Sequence, residues 1–192
     1  MAHWRDRLPP AKRRIYDRSD AVKSIPLRPG PGLLRAVRAL EAALHQGDRG
    51  RVGTLAQLIA DGVCADMRVP ALRVSVQGRR PSSRSGELHG LYTPGERDRR
   101  DTVKVWMMTA KRGQVVAFRT FLRTLVHELC HHLDYTFLDL TDSLHSDGFY
   151  MRESAMVRRL IDGAARATMD GTRQAAMAMS AGGSDRLARG PS

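Results

Sequence analysis

Val126-His127-Glu128-Leu129-Cys130-His131-His132-Leu133-Asp134 sets a His-Glu-x-x-His pattern inside a strongly amphipathic segment. At 3.6 residues per turn, His127 and His131 lie about 40° apart around a helix and one turn apart along it, so two imidazoles can reach one point. Glu128 projects beside them. Two ring nitrogens and a carboxylate are the chemistry of a zinc site. Zn²⁺ takes imidazole nitrogens at roughly 2.0 to 2.1 Å, and a catalytic site keeps three protein ligands plus a water that a nearby carboxylate can deprotonate. The pattern supplies two ligands and a base; a third ligand has to come from elsewhere in the chain.

Outward from the pattern, Phe118, Phe121, Leu122, Leu125, Val126, Leu129 and Leu133 recur at helical spacing, which predicts a helix from about Val116 to about Tyr135 with one buried stripe. Thr124, His127, Glu128 and His131 fall on another stripe, so one face anchors the helix while the other lines a cleft. His132, five residues after His127, points about 140° away and is expected to be structural or at the surface. Asp134 returns to the His127 side and is a candidate acceptor for the N–H of a ligand imidazole.

Upstream, Leu33, Val37, Leu40 and Leu44 predict an amphipathic helix that stops at Gly47. Leu55, Ile59 and Val63 predict a second, with Thr54 as its cap, Leu58 widening its apolar face and an end before Pro70. The period then changes. Leu72, Val74 and Val76 alternate with polar residues, 78–86 reads as a loop, and Glu87 to Tyr92 and Val103 to Met107 make two more short strands joined by the charged turn 96–101. His89, in the second strand, is read as structural. An edge strand beside a metal would pair with an extended substrate, but the pattern does not say which strand is the edge.

Downstream lie two candidates for the missing ligand. Glu153 precedes Met156, Val157, Leu160 and Ile161 at helical spacing and faces inward with them. His145 opens the run His145-Ser146-Asp147-Gly148-Phe149-Tyr150, fourteen positions beyond His131. A metzincin arrangement would need glycine at position 134 and histidine or aspartate at 137, where this chain has Asp134 and Phe137. Tyr150 and Arg152 are near enough to offer oxyanion stabilisation, although the plain reading makes Arg152 a surface cation and Tyr150 a core residue.

The helix with His127, Glu128 and His131, the short loop, and His145 with Phe149 four positions later resemble the SprT-like (Spartan-type) minimal zinc metallopeptidases. Their pattern is His-Glu-x-x-His followed by a His-Gly-x-x-Phe/Trp element. The resemblance covers roughly residues 70 to 162. It implies an α+β, zincin-like domain with a short, mostly antiparallel sheet packed on the active-site helix and flanking helices. It also implies one Zn²⁺ held by His127, His131 and His145, Glu128 as general base, and hydrolysis of peptide bonds in a protein or peptide substrate. Here Ser146 follows the third histidine directly and glycine stands at 148. Two cysteines cannot build the zinc ribbon of some members, so the resemblance is to a shortened or divergent relative.

A chain of 192 residues, 42% of them hydrophobic, can bury one core of ordinary size. The expected division is a basic, extended arm over 1–30, a metallopeptidase domain over 31–165, and a low-complexity tail over 166–192. The net charge of +12 is compatible with nucleic acid first and an acidic membrane surface second, and equally with a solvated basic surface. Arg and Lys of the arm could track phosphates while Trp4 and Tyr16 stack on bases. The only cysteines, Cys64 and Cys130, make no disulfide framework, and no apolar run reaches membrane length. A cytoplasmic location is the expectation. The rival to an enzyme is a basic nucleic-acid-binding protein whose zinc is structural, closed by His127, His131, His145 and Glu153 together.

Overall fold

Helices α2 (Pro31–His45) and α3 (Arg49–Met67) bury the apolar stripes their sequences carry, Leu33, Val37, Leu40 and Leu44 in the first and Val52, Leu55, Ile59 and Val63 in the second. The computed structural model describes residues 4–84, 86–96 and 99–183. Pro31 opens α2, where a missing N–H leaves nothing unpaired, and Gly47 reverses the chain after it at φ 67°. The start of α3 is Asp48 rather than Thr54. The Asp48 carboxylate accepts the Arg51 N–H at 3.0 Å, while the Thr54 hydroxyl donates back to the Gly50 carbonyl inside the helix. Leu58 lies about 120° around α3 from the Val52, Ile59 and Val63 line and is half exposed, so it does not widen the buried face.

A three-stranded sheet follows in the order β1 (Arg73–Arg79), β5 (Thr102–Met108), β4 (Gly90–Thr93). It is mixed. β1 runs parallel to β5, with Val74 opposite Val103, whereas β4 runs antiparallel to it, with Gly90 opposite Val105. The mostly antiparallel pairing expected holds for β4 and for a separate two-residue pair, β2 (Ser82–Ser83) with β3 (Gly86–Glu87), which lies within the segment read as a loop except for Glu87. Val103, Val105, Trp106 and Met107 of the central strand are all buried, the run of a strand covered on both faces. Helix α4 (Phe118–Thr136) packs on β4 and β5, and α5 (Asp147–Gly183) packs on α2 and α4. The result is a mixed α+β domain with helices flanking a small sheet.

The extended arm expected over residues 1–30 is folded from residue 4 onward. A 3-10 turn (Trp4–Arg7) leads into α1 (Pro10–Ala21), and the segment after it buries Ile25 and Leu27. Two arginines of α5 explain the docking. Arg152 donates to the Ser19 and Val22 carbonyls, and Arg159 to those of Ile25 and Leu27 at 2.9 and 2.8 Å, so backbone acceptors in the last turn of α1 and beyond it are satisfied by side chains. Tyr16, which an extended arm would offer to bases, is buried. Of the tail expected over 166–192, residues 166–183 belong to α5, and 184–192 lie outside the described residues. Among the described residues no helix is long and apolar enough to cross a membrane.

Candidate metal centre

The cleft-facing stripe of α4 carries His127 and His131, and the loop between α4 and α5 brings His145 against them. The Nε2 of His145 lies 3.1 Å from the Nε2 of His127 and 3.1 Å from that of His131. An ion bound tetrahedrally by imidazole at 2.0 to 2.1 Å would separate its ligand nitrogens by about 3.3 to 3.4 Å, so His145 already stands near ligand spacing from both other rings, and all three ligand atoms lie within 4.8 Å of one another. Their far nitrogens fix the proton positions. The Ser143 hydroxyl gives its single proton to Asp134 Oδ2 at 2.7 Å, so it accepts from His131 Nδ1–H at 2.7 Å. His127 Nδ1–H likewise meets Glu153 Oε2 at 2.9 Å. In both rings the Nε2 lone pair is left facing the His145 Nε2, an arrangement that is relieved by a cation between the rings or by a proton on His145 Nε2. The residues therefore fit a metal ion, and the three histidines form a cluster able to coordinate one.

Electrostatics keep two of the three rings neutral. Burial first, and then the neighbouring rings of His127 and His145, push the His131 imidazole down to about 3. Burial and His127 lower His145 in the same direction. Both are neutral at neutral pH, as a metal ligand has to be. Phe149 is fully buried beneath all three rings, its centroid 4.9 to 5.0 Å from each, and supplies an apolar floor.

Of the two candidates for the third ligand, only His145 joins the cluster. Glu153 sits behind His127, with Oε1 accepting from Arg123 at 2.7 Å and Oε2 on the ring nitrogen that faces away from the other histidines. Asp134, expected to meet a ligand imidazole directly, reaches His131 only through Ser143, and its other oxygen accepts from Arg152 at 2.7 Å. Arg152 and Tyr150 exchange the places expected of them. Arg152 is 0% exposed, because its position three residues after Phe149 and four before Met156 faces the core, whereas Tyr150 is 47% exposed with its ring stacked on His145 at 5.6 Å. His132 is structural: both its ring nitrogens face acceptors, Asp101 at 2.7 Å and the Pro70 carbonyl at 2.8 Å, which ties α4 to the segments entering β1 and β5. His89 is exposed on a cavity wall and is not part of the cluster.

Glu128 is buried beside the cluster and held by β4. Burial raises its pKa, against the pull of His127 and of the Tyr92 backbone N–H that it accepts. β4 is one of the two edge strands, the one against α4. Because the Trp106 N–H donates to the His89 carbonyl, the pairing alternates so that Gly90 and Tyr92 turn their backbone groups away from β5, toward α4 and the cleft. A Cβ at position 90 would overlap Oε1 of Glu128 and stand 2.8 Å from its Cγ. Two cavities open on either side of this contact, one of about 450 Å³ reaching Arg123 and Tyr150 and one of about 320 Å³ reaching Pro94 and Tyr135. Gly90, His127 and Glu128 belong to both.

Protein-family models, curated proteins and solved structures give no match to this chain. The functional reading therefore rests on the geometry of the site. Two of its residues escaped the sequence reading. Gly90 left a signal, since glycine within a strand marks close approach by another group. Ser143, a polar residue in a polar loop, left none.

Proposed function

We propose that the chain is a zinc-dependent metallopeptidase with a zincin-like, SprT-like domain, which hydrolyses peptide bonds with Glu128 as general base. The observation that carries this reading is the convergence of three imidazole Nε2 atoms beside a buried carboxylate at a sheet edge. His127, His131 and His145 would hold one Zn²⁺. In a three-histidine site the ion supplies Lewis acidity, lowering the pKa of water and polarising a carbonyl.

The chain's own groups supply the rest. Glu128 takes the proton of the attacking water and delivers it to the departing amine. The outward backbone groups of Gly90 lie where an extended peptide would add to the edge of β4, with side chains entering the two cavities. Tyr150 lines the cleft and would be the group to offer an oxyanion contact, whereas Arg152 is buried away from it. The rival reading, a closed structural zinc in a nucleic-acid-binding protein, needs Glu153 on the ion. Both of its carboxylate oxygens are instead engaged by Arg123 and His127. A nucleic-acid partner remains compatible with the charge of +12, and steep loss of binding with added salt is its signature.

Glu128→Gln should retain stoichiometric zinc and lose peptidase turnover by about 10²- to 10⁴-fold, the usual contribution of a positioned base. Metal analysis beside a peptide-cleavage assay makes the comparison. Wild-type turnover in that variant would reject the mechanism.

A further inference from the structure

We infer that the N-terminal segment is a working part of the metal centre: α1 seats the loop that carries Ser143 and His145, and through it positions two of the three imidazoles. The inference rests on the metal site proposed above and not on the peptidase chemistry. Residues 137–146 form no regular element, yet α1 holds them along their length. Arg18 donates to the Leu138 and Asp139 carbonyls at 3.3 and 3.4 Å, and Lys12 meets the Asp142 carboxylate at 3.1 Å. Asp139 stands at φ 50°, a conformation that L side chains seldom adopt.

At the far end of the loop, Ser19 and Ser146 hydroxyls lie 3.3 Å apart, both fully buried. Ser146 Oγ accepts the Phe149 N–H at 3.1 Å and Asp20 Oδ1 accepts the Gly148 N–H at 2.8 Å, so the first turn of α5 is capped in part from α1. A Cβ on Gly148 would stand 2.7 Å from the Asp20 Cα, so glycine is what permits this approach. His145 is adjacent to Ser146 in the chain, and the pinned turn sets where its ring emerges.

The second route passes through Arg152. Its guanidinium holds the Ser19 carbonyl and hydroxyl on one side and Asp134 Oδ1 on the other; Asp134 accepts from Ser143, and Ser143 accepts from His131. His127 differs. Its far nitrogen is held by Glu153, whose other oxygen accepts from Arg123, without a contribution from α1. Loosening the α1 contacts should therefore weaken the hold on His131 and His145 while His127 keeps its own support.

The test uses the full chain with Asp20→Ala and Ser143→Ala, paired with the conservative Asp20→Asn and Ser143→Thr. Zinc affinity is read by competition with a chromogenic chelator, and coordination by the visible spectrum of the cobalt-loaded protein. The alanine variants should bind zinc about 10- to 100-fold more weakly, the range for groups that orient metal ligands. Their cobalt spectra should change, and Asn and Thr should recover most of the affinity. Arg152 is left intact because its loss would strand Asp134 as an unpaired buried charge and threaten folding. If wild type binds zinc and Asp20→Ala binds it equally well, α1 is a structural element only and the inference fails, whatever Ser143→Ala does, because Ser143 touches His131 directly and lies outside α1. If wild type binds no zinc, the metal reading beneath it fails instead.

Discussion

Gly90 shows how a site depends on an atom that is absent. In an ordinary edge strand, alanine would be accepted and even preferred, since glycine weakens strands. Here the space for a Cβ is filled by the Glu128 carboxylate. Gly90→Ala should push that carboxylate aside or tilt β4, lowering kcat/KM by about 10²-fold or more, as the loss of a positioned base does. Zinc stoichiometry should stay at the wild-type value because no histidine is touched, and a variant with full turnover would contradict the placement of the base. The ligands on α4 were legible because their spacing and chemistry are local to one helix. Gly90 was not, since its role depends on how β4 is registered against α4. The third ligand was half legible: His145 and Glu153 were both in reach by sequence, and only the rotation of Glu153 toward Nδ1 of His127 separates a ligand from its support.

At the scale of elements, apolar periodicity located four helices and three strands, while composition misled at the N-terminus. Its prolines and basic residues are those of an extended arm, yet Ile25 and Leu27 are buried and Arg159 of α5 satisfies their carbonyls. Short apolar words inside a charged segment carry no period, so such docking is invisible without the partner helix. The start of α3 was misplaced for a similar reason. Asp48 and Thr54 are both cap residues by type, and the choice falls to Asp48 because the turn at Gly47 aims its carboxylate at the Arg51 N–H. Asp48→Ala should lower unfolding free energy by about 1 kcal/mol, whereas Thr54→Ala, within the helix, should cost less. Urea unfolding of the two variants compares them, and equal midpoints would place the cap elsewhere.

For the molecule as a whole, the sheet order β1-β5-β4 pairs β1 with a strand distant from it in the chain, and nothing local distinguishes a parallel from an antiparallel neighbour. That order puts β4 at the edge, opposite α4, and the site forms where this edge, α4, the start of α5 and the loop seated by α1 meet. Bringing three imidazoles together has a consequence for stability when no metal is bound. The His131 imidazole is held at about 3 in the fold, against its ordinary value of 6.5, by burial and then by its neighbours, and His145 is shifted in the same direction. Above pH 6.5 these rings are neutral both folded and unfolded, so they add no pH dependence. As pH falls below 6.5 the unfolded chain binds protons that the fold refuses, and stability drops until the His131 value near 3 is reached. Carboxylates titrate in the same window, so the comparison must remove only the imidazoles. The metal-free His131→Asn/His145→Asn double variant should lose less melting temperature between pH 7 and pH 4 than metal-free wild type, because it lacks the two rings that resist protonation. Parallel melting curves across that range would show that the cluster is not held neutral by its burial.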